Sequence, residues 1–402
     1  MHKSLSSVYE IITGEYRLKF VGEFVDEIKK KHAEFTQLFG LDDRAIKLES
    51  ELKKELDRNW CPLPVTGFSY AQEYAIDSSS ASRSLSNGIE FFITRALMLG
   101  TGNFSEPMLR FEMIKGSTDY SATAEFERIQ RDLMEIQIII ENIDKIKDDS
   151  IVLIDGNLYG RYTHLQNEIN IDNWRDLPLE LIKAMQDLYQ ICRKRNIMLV
   201  GVSKFSKTRV LTAALKRNLG YGVTAPEYLD VEMLYRWKLG ETGYTRPLML
   251  GTYAVKNAAS ITKPTKYRKT NFGSIQDPER QKWATDIIRE FPNAPAIVMF
   301  HMIPKAHAQP MRIDIPASCL GKSSKIMEVT PFNFIKPELV EPVVSQLVSD
   351  FGGWDVYNAL LYVVDREVRL GGKAVDTIYK SVLGKELGIP LDYDRSSRRF
   401  TF

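Results

Sequence analysis

The sequence is poor in the residues that staple small folds or bind soft metals. Its three cysteines, Cys61, Cys192 and Cys319, are widely separated and form no C-x-x-C pair, which excludes a disulfide framework and a zinc ribbon. A reducing interior is the expected setting. His301 and His307 are six residues apart rather than at the spacing of H-E-x-x-H, so that zinc-protease helix is excluded as well. Neither G-x-S-x-G nor G-x-x-x-x-G-K-[ST] occurs, which removes the serine-hydrolase elbow and the P-loop, and with them an ATP site of that type. No apolar core follows Met1 and no run of about 18 apolar residues occurs, so a soluble, cytoplasmic protein without a membrane span is expected. Charge of one sign is also missing. With 54 basic and 52 acidic residues the formal net charge is +2, so any basic surface for nucleic acid must be local.

The 402 residues, 44% of them hydrophobic, are enough for one large or two ordinary domains. Residues 1–62 read as a helical N-terminal extension, because Phe20, Phe24, Ile28, Phe35 and Leu38 recur near helical spacing in a charged background. Pro62 and Pro64 end it. Residues 63–390 form the main domain, with a core at about 70–220 and further strands and helices at 290–390. Strands are expected at about 71–77, 89–99 and 108–114, separated by Asn87-Gly88 and by the turn at 100–102. A helix at 123–147 follows, with Phe126, Ile129, Leu133, Ile136, Ile140 and Ile143 as its stripe, then a strand at 151–154, a helix at 177–194 and a strand at 197–202. Three strands, helix, strand, helix, strand is the order of a ribonuclease H-like fold, an α/β mixed sheet flanked by helices. Helices at about 337–348, 356–369 and 374–383 make the C-terminal region helical.

Asp77 and Asp155 each close a short apolar run, at the lip of a sheet where solvent, metal and substrate can reach. Aspartate is also common there simply because it caps turns. Between the two, the helix supplies a third carboxylate, Glu135, with Glu127 and Glu141 as competitors on the same helix. Clustered carboxylates repel one another unless a cation stands between them, and hard oxygen ligands select Mg²⁺ or Mn²⁺. Such ions would align water with a phosphodiester, so phosphodiester hydrolysis is the natural reaction. Lys204 and Lys207 follow a buried strand and reach the same edge, where they could hold a phosphate. Residues 256–269 form a second basic element that includes Lys263, Lys266 and Arg268, with Tyr267 among them and no acid, which suits a single strand as well as a solvated loop.

Asp77-Ser-Ser-Ser with Asn87-Gly88, Val152-Leu-Ile-Asp155-Gly-Asn-Leu158, Gly201-Val-Ser-Lys204-Phe-Ser-Lys207-Thr208 and Arg312-Ile-Asp-Ile-Pro316 resemble, in order, the NurA nucleases over about 70–385. The resemblance implies a metal-dependent deoxyribonuclease using Mn²⁺ or Mg²⁺, acting as a 5′–3′ exonuclease on single- and double-stranded DNA and as an endonuclease on single strands. It further implies a homodimer that works with the hexameric ATPase HerA, mainly in archaea, in DNA end resection, double-strand break repair and homologous recombination. The metal site it implies is Asp77, Glu135, Asp155 and Asp365, accompanied by Tyr357. Two departures stand out. The family's Asp-Gly-Ser is Asp77-Ser-Ser here, and its Gly-Tyr-Pro is replaced by Gly353-Trp-Asp-Val-Tyr357-Asn358. The alternative is a catalytically inactive adaptor of the same fold that binds DNA or regulates HerA.

Overall fold

The computed structural model describes residues 20–38, 46–65, 67–115, 120–162, 168–221, 228–251, 272, 275–329 and 332–388. The chain divides into two compact units, Met1–Glu55 and Leu56–Phe402. The division falls within the helix Ile46–Arg58, ahead of the Pro62 and Pro64 pair. The first unit carries α1 (His32–Leu38) and most of α2 (Ile46–Arg58), helical as its spacing predicts.

The second unit is built on one mixed sheet. Its strands are β1 (Trp60–Cys61), β2 (Glu73–Ser84), β3 (Ile89–Gly100), β4 (Phe104–Lys115), β5 (Ile151–Asp155), β6 (Met198–Ser203), β7 (Gly243–Thr245), β8 (Leu248–Leu250), β9 (Ile297–Ile303), β10 (Met311–Pro316) and β11 (Phe332–Phe334). The hydrogen-bonded order is β1-β7-β9-β10-β6-β5-β2-β3-β4, with β8 and β11 attached beside β9. β2, β3 and β4 form the antiparallel meander, and β2, β5 and β6 run parallel. This is the ribonuclease H-like mixed sheet with helices on its faces. β5 and β9 are almost wholly apolar and buried on both faces, as strands covered by helices on each side must be. β4 alternates half-buried and exposed residues, the mark of an edge strand, and tolerates Pro107 for the same reason.

The helices that matter for the site are α3 (Tyr120–Glu141), α4 (Leu158–Arg161), α5 (Leu177–Lys194), α6 (Val210–Asn218), α7 (Asp230–Lys238), α8 (Pro278–Glu290), α9 (Glu341–Ser349) and α10 (Ala359–Val368). α3 buries Phe126, Ile129, Leu133 and Ile136 on the expected stripe. The opposite face of the sheet holds a core in which Val343, Val344 and Leu347 of α9 and Leu361 and Val364 of α10 meet Ala75, Leu153, Val202, Ile313 and Phe300. α10 is anchored at both ends. Asn358 caps its start by accepting from Leu361 N at 2.9 Å. At its end the Arg95 guanidinium donates to the otherwise orphaned carbonyls of Glu367, Val368 and Arg369, while Leu370 N donates to Ser79 Oγ. Among the described residues no helix is long and apolar enough to cross a membrane.

One expectation changes. Asp77 does not close its strand, because β2 continues to Ser84. The polar run after Asp77 stays extended because it remains in register with β3 and its serines find acids: Ser78 Oγ donates to Glu135 at 2.5 Å, and Ser80 and Ser82 donate to Glu127 at 2.6 and 3.3 Å. The lip is made by β5, whose pairing with β2 stops at Ile76 and Ile154.

Candidate active site

The segment from Asp155 to Arg161 is a compact device for aiming two charged groups. Gly156 adopts φ +108°, a region that a side chain disfavours, and its N–H donates to Val202 O at 2.8 Å. Asn157 then caps α4 by accepting from Gly160 N. A Cβ on Gly201 would stand 2.7 Å from Gly156 O, so only glycine in β6 lets this turn pack down. Asp155 is thereby held at the end of β5, one position beyond the last β2–β5 pair and so beside Asp77.

Asp77 and Asp155 meet different partners. Asp77 accepts one hydrogen bond, from the N–H of Ser78 at 2.7 Å. Burial pushes its carboxyl up to about 8, and the charges of Glu135, Asp155 and Asp365 push the same way. Asp155 accepts from the Tyr357 hydroxyl at 3.0 Å and lies 3.5 Å from Lys204 Nζ, which also sits 3.7 Å above the Tyr357 ring. Burial, followed by the charge of Asp155, holds the Tyr357 phenol well above its ordinary value, so it stays a donor.

Glu135 is fully buried on α3, reaching the site from the other face of β2. Burial raises its carboxyl to about 7, opposed by the Arg161 guanidinium. Arg161 is itself buried and pairs with both Glu135 and Asp132; desolvation of this guanidinium is outweighed by the two acids, which raise it further. Asp365 lies on α10, close enough to raise Asp77 and Tyr357, and pairs with Arg369 at 3.1 Å. Lys207 is exposed three residues beyond Lys204. Lys263, Lys266 and Arg268 lie outside the described residues. Glu127 is engaged by Ser80 and Ser82, and Glu141 is exposed at the end of α3.

Sequence reasoning overlooked Arg161 and Ser78. Both had a signal. Ser78, Ser80 and Ser82 alternate on one face of β2, while Glu127 and Glu135 are eight residues apart on one face of a helix, so two ladders of polar groups were set to meet. A glutamate on a buried stripe also requires a cation, and Arg161 is the basic residue nearest Asp155 in sequence.

The donor set is entirely hard oxygen, and Asp77 feels the negative potential of three other carboxylates with one hydrogen bond to offset it. A divalent cation such as Mn²⁺ or Mg²⁺ would relieve that repulsion, so the residues fit one. Among the described residues, no three Asp, Glu, His or Cys side chains converge into a ready ligand cage. Arg161 and Ser78 hold Glu135, and Tyr357 and Lys204 hold Asp155.

Comparison with solved structures returns the same architecture. The NurA nuclease from Sulfolobus solfataricus superposes with a TM-score of 0.57 at 14% identity, covering 92% of this chain and 97% of that one. A NurA bound to dAMP and manganese gives 0.52 at 12% identity over 89% of this chain and 97% of its own, and a NurA with manganese gives 0.52 at 12% over 91% and 98%. No curated protein sequence matches the chain. Residues 72–369, most of the chain and including Asp77, Glu135, Asp155, Tyr357 and Asp365, match the NurA domain, and the chain belongs to the NurA family.

Proposed function

We infer that this protein is a metal-dependent deoxyribonuclease whose site is formed by Asp77, Asp155, Glu135 and Asp365 with Tyr357 and Lys204. The observation that carries the reading is the grouping around Asp77, where three further carboxylates press on one half-buried acid beside the end of β5. Family membership and the nuclease among its solved neighbours support hydrolysis of a phosphodiester. The manganese-containing neighbours support Mn²⁺ as the ion.

Asp77, Asp155 and Asp365 would hold the metal, with Glu135 kept at the edge of the set by Arg161. When bound, the metal would supply charge neutralisation and an activated water. The residues of the chain do the rest. Lys204, resting on the Tyr357 ring beside Asp155, presents its ammonium where a phosphate oxygen would lie. Tyr357 orients Asp155 by its hydroxyl. Exonuclease polarity of 5′ to 3′, endonuclease action on single strands, a homodimer, and a HerA-type hexameric ATPase as the motor in end resection and break repair complete the proposal, with the cytoplasm as its place of action.

The experiment is degradation of 5′- and 3′-labelled single- and double-stranded DNA in Mn²⁺ by the wild type and Asp155→Asn, with and without HerA and ATP. Metal-dependent cleavage lost in the variant supports the enzyme, and the label pattern reads polarity. One observation favours the second reading, an inactive adaptor of the same fold: Glu135 is already neutralised by Arg161. Calorimetry separates the two, since an adaptor would neither cleave nor bind Mn²⁺ at Asp77 and Asp155.

A further inference from the structure

β6 ends at Ser203, and the next two residues diverge sharply in environment. Lys204 is half-buried against Asp155 and Tyr357. Phe205 is 71% exposed and adopts φ +53°. That left-handed conformation is disfavoured for any residue with a bulky side chain, and glycine or asparagine would adopt it with less strain. A large aromatic ring left in water adds a second unfavourable feature, and Phe205 stacks on no other ring among the described residues.

The strain persists because the following residues are pinned. Ser206 is buried and its hydroxyl lies 3.0 Å from Thr208 Oγ1, which donates to Asp230 Oδ2. Asp230 is fully buried on α7 and also accepts from Leu211 N, Thr212 N and Thr212 Oγ1 at the start of α6. A rigid anchor on one side and the Lys204 contacts on the other over-determine the turn between them. Two independently unfavourable features held in place beside a reactive cluster mark a residue kept for contact with something outside the fold.

The chemistry of the turn names the contact. Lys204 and exposed Lys207 bracket Phe205, and an aromatic between two cations presents a stacking surface flanked by groups for the backbone phosphates. We propose that Phe205 is the stacking platform for the nucleobase adjoining the cleaved phosphodiester, so that the strand is read unpaired at the site. A duplex has no open base face to offer there and must fray first. The proposal rests on the nuclease reading and deepens it.

The test uses the full-length protein, Phe205→Ala and Phe205→Tyr, with single-stranded oligonucleotides that carry one abasic residue, or one 2-aminopurine, stepped along the strand. Phe205→Ala is expected to raise KM about tenfold with kcat within about twofold, and Phe205→Tyr to behave as the wild type. An abasic residue at one position should reproduce that loss in the wild type and add nothing in Phe205→Ala. 2-Aminopurine at the same position should be quenched by the wild type alone. Unchanged KM in Phe205→Ala, or an abasic penalty that survives in it, overturns the platform while leaving the nuclease standing. Absence of cleavage with quenching that depends on Phe205 sinks the nuclease and keeps the platform. Absence of both overturns the two together.

Discussion

β2 carries two acids four residues apart, the buried Glu73 and the half-buried Asp77, and both are pushed up to about 8 with desolvation as the first cause. Their surroundings differ in kind. Glu73 faces one carboxylate, Asp350, whose charge raises it next after burial, and the two share amides: Gln346 Nε2 donates to Glu73 at 3.3 Å and to Asp350 at 3.0 and 3.1 Å, and Asn358 Nδ2 donates to Asp350 as well. This is a network that ties β2 to α9 and to the start of α10. Asp77 faces three carboxylates instead, with the Ser78 N–H as its one donor among the described residues. Equal perturbation therefore does not mean equal role. An acid that shares one carboxylate neighbour with donating amides has a structural partner, and an acid pressed by three carboxylates fits a cation.

The sharpest test is Asp77→Asn. Cleavage in Mn²⁺ should fall about 10³-fold or more, because the group that would share the metal is gone and several kcal/mol of transition-state stabilisation go with it. The fold should survive, since a neutral amide in place of a repelled carboxylate is well tolerated. If activity persists while Glu73→Gln abolishes it, the assignment of roles is inverted.

Arg161→Leu probes why Glu135 differs from both. Removing the guanidinium leaves a fully buried carboxylate beside Asp132 without its counter-ion, and a loss of about 3 kcal/mol of stability is expected in urea unfolding. Adding Glu135→Gln to Arg161→Leu should recover part of it, because the pair's value lies in mutual compensation. If the double variant is as unstable as the sum of the singles, Arg161 acts through packing alone. A smaller effect is expected from Lys204→Ala: KM for DNA rises about tenfold with a weaker dependence on salt, and kcat changes little.

The candidate site was legible where residues obey local rules and obscure where they depend on distant partners. Asp155 stands where an apolar run meets Gly156, and Lys204 where another run ends, so spacing alone located them. Ser78 continued a polar stretch that resembled a turn, and its extended form follows from pairing with β3, a contact that no local pattern announces. Arg161 lies on a four-residue helix too short for periodicity to reveal. The short strands β1, β7, β8 and β11 were missed for the same reason, since two or three residues hold their shape only by joining an existing sheet. Tyr357 was the opposite case. The family's motif is altered around it, yet Asn358 at the helix cap fixes the residue before α10, and the hydroxyl reaches Asp155.

Glu73→Gln completes the comparison with the smallest effect. Because the folded carboxyl is raised above its unfolded value, the native state holds the proton more tightly than the unfolded chain does. The associated stability is full below about pH 4.5 and is lost as pH rises through about 8, where the buried acid must ionise beside Asp350. A glutamine side chain at this position would keep the oxygen that Gln346 donates to and would carry no proton to lose. The Tm of the variant should match the wild type near pH 5 and exceed it by a few °C near pH 9, corresponding to on the order of 1–2 kcal/mol, with DNA cleavage unaltered at either pH. Parallel Tm profiles for the two proteins from pH 5 to 9 would mean that Glu73 is already neutralised by its amides as an ion, and that the raised acids of β2 share a cause only in burial and not in proton linkage.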